Sequence, residues 1–445
     1  MGLAIKWDIT YKCNLMCGHC INGHYLNNLE DEINYEEFTR IIENITLTTP
    51  IEYIHFLGGE PLTRKDFIEI LYYLEQKNIK FGFNTNGLLL NEDLIEKIGE
   101  YRFFDTIILS MEGPNAEIND NIRGNNTYNL LMNRMEIIKK YRREHLQSKF
   151  KLCINTVLTN LNCNYIMDII KLCENQAVDE LNLLQYIEEG NGEGKKLAMN
   201  AEQFLNVIKN IASYYTFGER KVNIVPKFAR PLAKKYAEQC LNMDFPDIEH
   251  ACGAGADTLF IDNKGIIYPC DRSRKYKIAG ENLVKEDFME IWKSDKFSEP
   301  FSMYSGDKIF ADVIPCNQCE YLHEQCNPCY MNIQNDDVKE ASGCRILLEE
   351  IKKQNDRRYT NEKYHLSENL RIAERKNGYV ILNPAHGDSI EVDKTSKEII
   401  DFIKLENPTM SHIIEYGKSK KIAPKEIQEY IECLKGIDIV YADEK

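Results

Sequence analysis

Short apolar segments alternate with longer amphipathic segments from the N-terminus to about Leu184. Six apolar segments have the length of buried strands: Ala4–Ile9, Tyr53–Leu57, Phe81–Asn84, Thr106–Ser110, Leu152–Val157 and Leu181–Leu184. Helical spacing fills the intervals, as in Tyr35–Ile45, Arg64–Gln76, Glu92–Tyr101 and Tyr128–Arg143. This alternation is typical of parallel βαβ units, so we expect an α/β fold, an open or closed barrel. Its chemistry should gather beyond the carboxyl ends of the strands.

Composition argues against several classes of partner. The 445 residues include 70 Asp or Glu and 55 Lys or Arg, a net charge of -15, so phosphate backbones and anionic lipid surfaces should repel the molecule. We therefore expect no nucleic-acid partner and no membrane partner. No segment approaches the roughly 18 consecutive apolar residues of a membrane helix, and the first residues lack the layout of a signal peptide. The sequence predicts a cytoplasmic protein.

The chain contains 15 Cys, too many for small hydrophobic side chains alone in a reducing compartment. Disulfides are disfavoured there, so metal or iron–sulfur ligation is the hypothesis to test. Most of the cysteines are clustered: Cys13, Cys17, Cys20, Cys240, Cys252, Cys270, Cys316, Cys319, Cys326, Cys329 and Cys344. The remainder have no ligand-like spacing and should be small buried hydrophobic residues: Cys153, Cys163, Cys173 and Cys433.

Three cysteines, Cys13, Cys17 and Cys20, directly follow the first predicted strand. A structural zinc site needs four ligands, and His19 or His24 would have to supply the fourth. An iron–sulfur cluster on three thiolates instead keeps one iron open, as a reactive metal site requires. The CxxxCxxC spacing after a strand of an α/β barrel resembles the radical S-adenosylmethionine (SAM) superfamily, whose fold is a partial (β/α)6 barrel.

Further segments resemble this superfamily. Gly58-Gly59-Glu60-Pro61 is similar to its GGEP motif, and the resemblance implies that bare backbone and the Glu60 carboxylate receive the SAM ammonium group. Glycine leaves room for that approach. Asn86 ends the third predicted strand within Asn-Thr-Asn-Gly.

The resemblance also places Ser110 near the SAM ribose and Arg123 near the SAM carboxylate, with a surface ion pair as the alternative for Arg123. Two residues depart from the family pattern. Glu112 stands where relatives mostly have Asp, and His19 stands where an aromatic ring usually precedes the third Cys.

Seven later cysteines resemble the SPASM extension of peptide-modifying radical SAM enzymes, which houses two auxiliary [4Fe–4S] clusters. The usual CxxCx5CxxxC centre reads CxxCx6CxxC here. The resemblance implies two ligand sets, a distal one of Cys316, Cys319, Cys326 and Cys344 and a proximal one of Cys252, Cys270 and Cys329. Cys240 is the candidate for the missing proximal ligand, and an open iron that binds a substrate sulfur is the alternative. Zinc is the other possible occupant, since CxxC pairs suit it equally well.

The predicted domains are a barrel at 1–215, a helical bridge at 216–250, the SPASM region at 251–351, a linker or solvated helix at 352–369 and a small unit at 370–445. The last unit has the pattern βββααα, with strands at Leu370–Glu374, Tyr379–Leu382 and Ser389–Val392. It resembles the PqqD-like leader-binding domain called a RiPP recognition element, which holds a disordered peptide by strand addition. A DNA-binding winged helix is the alternative, and the acidic charge weakens it.

Together these resemblances imply a radical SAM maturase of a ribosomally made precursor peptide, with SAM and three [4Fe–4S] clusters as cofactors. The expected product is an intramolecular thioether; carbon–carbon crosslinking, epimerisation and formylglycine formation on a sulfatase are alternatives. The expected partners are the precursor, through its leader, and a flavodoxin- or ferredoxin-type electron donor. An electron carrier or peptide scaffold without radical chemistry is an alternative of another class, and a zinc-containing transcription regulator is a third.

Overall fold

The computed structural model describes residues 2–228, 231–247, 253–274, 280–294, 297, 313–322, 326, 342–385 and 387–442. Contacts divide the chain into two units, Met1–Leu348 and Glu349–Lys445. Within the described residues, none of the helices is long and apolar enough to span a membrane.

A ten-stranded sheet with the order β10-β9-β8-β1-β2-β3-β4-β5-β6-β7 forms the centre of the first unit. Its strands are β1 (Leu3–Thr10), β2 (Ile51–Gly58), β3 (Lys80–Thr85), β4 (Phe104–Ser110), β5 (Lys151–Leu158), β6 (Glu180–Gln185), β7 (Asn223–Pro226), β8 (Thr258–Ile261), β9 (Ile266–Tyr268) and β10 (Glu281–Asn282). Strands β1 to β7 pair in parallel and β8 joins β1 in parallel, whereas β9 and β10 add antiparallel. The predicted α/β fold and its six consecutive strands are confirmed.

Helices connect the parallel strands, and a further helix follows β10. They are α1 (Tyr35–Thr46), α2 (Phe67–Gln76), α3 (Glu92–Gly99), α4 (Ala116–Arg123), α5 (Thr127–Glu144), α6 (Ile166–Asn175), α7 (Ala201–Phe217), α8 (Pro231–Tyr236) and α9 (Phe288–Trp292). Shorter helical turns occur at Pro61–Thr63, Cys163–Tyr165, Gly190–Gly192, Ala237–Leu241 and Cys316–Gln318. Helix α1 shows why these segments form: Asn34 caps it by accepting a hydrogen bond from Glu37 N, and its apolar face is buried.

The apolar core lies between these helices and one face of the sheet. Trp7 of β1 is fully buried and packs against Phe38 of α1, with ring centroids 5.0 Å apart. Because side chains alternate along a strand, its neighbour Asp8 points to the opposite face, where it lines a cavity. The apolar face of β1 therefore stabilises the barrel while its polar face supplies the site.

Two regions of the first unit differ from the prediction. The bridge predicted as helical at 216–250 also contains β7, which extends the sheet beside β6. The predicted SPASM region contributes β8, β9 and β10, so part of it is held by the barrel's own sheet rather than by metal alone. These strands have two to four residues, too few for their periodicity to stand out.

The second unit contains the predicted βββααα pattern. Helix α10 (Ser342–Asn361) is followed by β11 (Tyr364–Leu366), β12 (Arg371–Arg375), β13 (Gly378–Asn383), β14 (Asp388–Val392), α11 (Lys394–Glu406), α12 (Met410–Ser419), α13 (Pro424–Gly436) and β15 (Val440–Ala442). The order β12-β13-β14 forms one antiparallel sheet and β11 pairs with β15 in another.

Of the two alternatives expected at 352–369, a linker or a helix, the structure shows a helix to Asn361. Strand β11 follows it, and the unit begins at Glu349, earlier than the predicted 370. Tyr364 of β11 is fully buried in the unit's core. The four unclustered cysteines divide in the structure. Cys153, Cys163 and Cys173 are buried as expected, but Cys433 is exposed on α13, so that expectation was wrong for it.

Candidate functional site

A cavity of about 450 Å³ lies beyond the carboxyl ends of β1 to β6. It brings together most of the residues predicted for the site: Cys13, Cys17, Cys20, Gly58, Gly59, Asn86, Ser110 and Arg123. These residues lie at or beyond the carboxyl ends of four different strands. Their convergence follows from the parallel sheet, in which the carboxyl ends of the strands share one edge.

The three N-terminal thiols at this cavity are free and partly exposed. Burial raises the pKa of each thiol, that of Cys20 to about 12. A thiolate is the form that binds metal, so a bound cation would have to stabilise these sulfur charges. The donor set fits an iron–sulfur cluster.

The expected zinc alternative lacks its fourth ligand, since both candidate histidines pair with carboxylates. His19 Nε2 lies 3.0 Å from Glu112 Oε1, and His24 Nε2 lies 3.0 Å from Glu193 Oε2. In the part of the chain that the structure describes, no three Cys, His, Asp or Glu side chains converge as ligands of a single ion. Thiolates around a four-iron cluster bind separate irons, so they need not converge on one point.

Backbone contacts hold the segment Cys13–Asn22, which we name the cluster loop. Gly18 N donates to Ile122 O at the end of α4 (2.8 Å), and Asn191 N donates to Cys20 O (2.9 Å). The Asn191 side chain also donates to Cys17 O (3.1 Å). Two elements distant in sequence thus fix the carbonyl groups beside the thiols.

The glycines of the GGEP segment are required by β1 and by the residues that directly follow it. A Cβ on Gly58, whose φ is +120°, would lie 2.2 Å from Thr10 O, and a Cβ on Gly59 would lie 2.4 Å from Lys12 O. Gly59 N donates to Thr10 O at 2.7 Å, so the two backbones touch. The structure gives these glycines a steric reason that does not depend on SAM, while both still line the cavity.

Glu60 makes internal contacts in the structure, and its expected contact with SAM stays a prediction. Its side chain is buried, and its carboxylate accepts hydrogen bonds from Thr85 Oγ1 (2.7 Å), Asn86 N (2.7 Å) and Leu62 N (3.2 Å). Glu60 and Pro61 are outside the set of residues that line the cavity. The carboxylate connects the turn after β2 to the end of β3 through these hydrogen bonds, whereas Gly58 and Gly59 line the cavity.

A buried triad closes another wall of the cavity. Glu112 Oε1 lies 3.0 Å from His19 Nε2 and accepts from Arg123 Nη1 at 3.2 Å, and Glu112 Oε2 accepts from Val157 N at 2.8 Å. Burial opposes ionisation of Glu112, but His19, Arg123 and the hydrogen bond from Val157 outweigh it and hold its pKa below the usual value. Arg123 is therefore in a buried ion pair at the cavity wall, not a surface pair.

Comparison with known proteins agrees with this geometry. The Radical SAM superfamily profile matches residues 7–173, and the profile of SPASM, an iron–sulfur cluster-binding domain, matches residues 252–330. Together they cover more than half of the chain. The chain belongs to the radical SAM/SPASM family. It is a radical SAM enzyme, which sets aside the electron carrier, the scaffold and the transcription regulator, and it binds SAM and iron–sulfur clusters.

Relatives of this radical SAM/SPASM enzyme have different names. It is 26% identical over 345 residues to the AdoMet-dependent heme synthase of Oleidesulfovibrio alaskensis, covering 73% of this chain and 81% of the relative. It is 25% identical over 295 residues to the mycofactocin maturase MftC of Mycobacterium tuberculosis, covering 66% and 70%.

Solved structures share the fold. Streptococcus suis SuiB matches with a TM-score of 0.59 and 19% identity, over 76% of this chain and 75% of SuiB. The protein anSMEcpe with bound AdoMet and the Cp18Cys peptide matches with a TM-score of 0.59 and 20% identity, over 80% of this chain and 98% of that chain.

The auxiliary cysteines of the radical SAM/SPASM enzyme are described in part. Cys316 and Cys326 are buried, whereas Cys240, Cys270, Cys319 and Cys344 are partly exposed. Leu322 N donates to Cys319 O, and Leu322 forms a β-bridge with Cys326, which brings these two cysteines into one local turn. Cys252 and Cys329 lie outside the described residues, so both predicted ligand sets stay predictions.

Sequence reasoning missed several residues at the cavity, chiefly Asp8 and Asp271, which line it, and Arg274, which contacts Asp8. Burial raises the pKa of Asp8 to about 6, although the nearby Arg274 charge opposes this. The sequence contains a feature that could have indicated each of these residues. Asp8 interrupts an apolar strand, and Asp271 and Arg274 belong to the charged run that directly follows Cys270.

Proposed function

We propose that this enzyme modifies a ribosomally synthesised precursor peptide by joining a Cys sulfur to a carbon of another residue in an intramolecular thioether. The second unit is the observation that supports a peptide substrate. It lies outside both matched domains, and its strand order places β12 and β14 at the two edges of a three-stranded antiparallel sheet.

An edge strand offers unpaired backbone groups to an extended peptide. All residues of β12, Arg371–Arg375, are exposed, so a peptide strand could pair along it without displacing another element of the described sheet. The sheet is backed by a core of its own, including Ile381 and Val392. A leader held there would raise the effective concentration of the core peptide at the cavity.

When bound, a reduced [4Fe–4S] cluster supplies the electron that cleaves SAM, and the resulting 5′-deoxyadenosyl radical removes a hydrogen atom from a substrate carbon. In this proposal Cys13, Cys17 and Cys20 hold that cluster, and the backbone of Gly58 and Gly59 and the Ser110 side chain orient SAM. Auxiliary clusters on the predicted distal and proximal ligand sets would bring the total to three.

Thioether formation also releases hydrogen atoms and an electron, which need acceptors. Each thioether removes two hydrogen atoms from the peptide: one goes to 5′-deoxyadenosine, and the other leaves as a proton and an electron. Auxiliary clusters, when bound by the later cysteines, would supply an acceptor for this electron. A flavodoxin- or ferredoxin-type protein delivers the electrons that SAM cleavage consumes. Asp271 lines the cavity directly after Cys270, and its carboxylate is a suitable acceptor for the proton.

Mass spectrometry tests the proposal. The holoenzyme is incubated anaerobically with SAM, a strong reductant and synthetic peptides encoded by short reading frames beside its gene. We expect a product that lacks two hydrogen atoms per crosslink and that disappears when the substrate Cys is replaced by Ser. Epimerisation would leave the mass unchanged, carbon–carbon crosslinking would survive that replacement, and formylglycine would require a sulfatase-derived peptide.

The similarity to heme synthases favours a second candidate, a step of heme synthesis. The same incubation with porphyrin precursors of heme distinguishes the two. Conversion of a porphyrin with no peptide modified would overturn the proposed function.

A further inference from the structure

The five residues Cys270–Arg274, which we name the arginine turn, form one tightly bonded element after β9. Ser273 Oγ donates to Cys270 O (2.6 Å) and accepts from Cys270 N (3.2 Å), and Ser273 N also donates to Cys270 O (3.1 Å). Ser273 is 1% exposed. The backbone of the predicted auxiliary ligand Cys270 is therefore fixed relative to the two arginines that follow it.

Arg274 reaches from this turn to the end of the cluster loop. Its Nη2 donates to Asn22 Oδ1 (2.9 Å), and its Nη1 donates to Asp8 Oδ2 (3.1 Å) and to the Tyr11 hydroxyl. Asn22, two residues after Cys20, in turn donates to Gly58 O (3.2 Å). One guanidinium thus contacts the residues that flank the cluster cysteines on both sides.

Aromatic rings hold the Arg274 guanidinium in place. Its Cζ lies 3.9 Å from the centroid of the Tyr25 ring, 5.3 Å from that of Tyr11 and 5.4 Å from that of Phe260. The side chain is 11% exposed. A planar guanidinium can stack on rings and donate in several directions at once, which a lysine ammonium group cannot reproduce.

Arg272 makes a second connection to the same loop. Its Nη2 donates to Glu189 Oε1 at 3.0 Å, and the residues directly after Glu189 contact the cluster loop. A Cβ on Gly190, whose φ is +60°, would lie 2.3 Å from Cys20 O, and Asn191 donates to the carbonyls of Cys17 and Cys20. The two arginines approach the cluster loop through different partners.

We propose that the arginine turn couples the auxiliary site at Cys270 to SAM binding at the cluster loop, with Arg272 and Arg274 as positioning residues. A ligand bound through Cys270 fixes the turn, and the turn fixes Asn22 and the carbonyls of Cys17 and Cys20. The backbone of Gly58, which faces the cavity, is held by the same network. This coupling is independent of what the enzyme modifies.

The test is a double-mutant cycle on the dissociation constant of SAM, measured by anaerobic titration of the holoenzyme. We expect Arg274→Gln and Arg274→Lys each to raise this constant about tenfold, within the range usual for coupled sites, and to change the electron paramagnetic resonance spectrum of the reduced N-terminal cluster. Cys270→Ser should raise the constant in the wild-type background and add little in the Arg274→Gln background. Arg142→Gln is the control, because Arg142 pairs with Asp179 (2.9 Å) at a partly exposed site on α5.

Two further measurements separate positioning from a loss of fold. Iron content at the N-terminal cluster should stay unchanged in the Arg274 variants, and hydrogen exchange should rise in residues 13–26 but not in α5. If Arg274→Gln loses its iron, SAM binding by the Arg274→Lys variant becomes the test of the coupling. The coupling would be overturned if Arg274→Lys bound SAM within about twofold of wild type. It would also be overturned if Cys270→Ser and Arg274→Gln raised the dissociation constant of SAM independently, so that the double variant showed the product of the two single effects.

Discussion

His19 Nε2 lies 3.0 Å from Glu112 Oε1 in a buried contact, so the two residues that depart from the usual radical SAM pattern touch each other. A Glu side chain is one methylene longer than Asp. That extra length lets one carboxylate reach His19, Arg123 and the backbone of Val157 together. The two departures therefore form one contact, in which the imidazole of His19 meets the carboxylate of Glu112.

This pairing predicts energetic coupling. Glu112→Asp should lower the free energy of unfolding by about 1–3 kcal/mol, since buried hydrogen-bond partners are left unsatisfied. The double variant with His19→Phe should cost about 0.5–3 kcal/mol less than the sum of the single changes. Anaerobic denaturant unfolding measures all three variants. The His24–Glu193 pair is a matched control, because it has the same 3.0 Å separation but exposed side chains, and its coupling should be close to zero.

Glu60→Gln distinguishes the internal role of this carboxylate from a SAM-binding role. An amide cannot accept from Thr85, Asn86 and Leu62 as the carboxylate does, so we expect a loss of about 1–3 kcal/mol in unfolding free energy. Denaturant titration measures it, and exposed Glu69→Gln on α2 is the control. A variant that keeps full stability and loses only SAM affinity would show that Glu60 serves the ligand instead.

His55 predicts a pH dependence of stability. Burial lowers its pKa from 6.5 to about 4, and the Lys6 charge adds to this effect. Between these values the unfolded chain binds a proton that the folded chain does not, so His55 makes the unfolding free energy fall as the pH drops from about 6.5 towards 4.

His55→Gln should remove this contribution. The loss of unfolding free energy between pH 7.5 and pH 5 should become smaller by about 2 kcal/mol, as measured by denaturant titration at both pH values. Exposed His412→Gln is the control. If the pH dependence were unchanged in His55→Gln, burial would not lower the pKa of the His55 imidazole in the folded protein.

Iron analysis tests the cluster count. The anaerobically purified enzyme should contain about twelve irons, and joint replacement of Cys13, Cys17 and Cys20 by Ala should leave about eight. The same variant should release no 5′-deoxyadenosine. Cys433→Ser, at an exposed cysteine outside the N-terminal triplet and the predicted auxiliary ligand sets, should change neither value. Stoichiometric zinc in place of iron would contradict the prediction.

Deletion of residues 363–445 should separate recognition from chemistry. This cut leaves helix α10, which carries Cys344, complete, whereas a cut near Arg358 would shorten it. Binding of the full precursor, measured by titration, should be lost and modification should fall far more than uncoupled SAM cleavage, because the tether no longer concentrates the peptide. Unchanged precursor binding would show that the second unit is not the recognition element.

Local patterns made much of the first unit predictable. Strands β1 to β6 and the thiols after β1 follow from periodicity and spacing within a few residues. Strands β7 to β11 and β15 are short, and two of their pairings, β8 with β1 and β11 with β15, join segments distant in sequence. The role of Arg274 depends on a contact with Asp8, which is 266 positions away. Local sequence patterns cannot predict a contact between residues so far apart in the chain.

The shared sheet limits how this enzyme can be recombined. Because β8, β9 and β10 continue the barrel sheet beside β1, the SPASM region is not structurally independent of the barrel. A chimera that exchanged residues 252–330 with a homologue would replace three strands of the host barrel and both arginines of the arginine turn. Functional exchange would require the donor's matching cluster loop, so catalytic barrel and auxiliary domain should be inherited together.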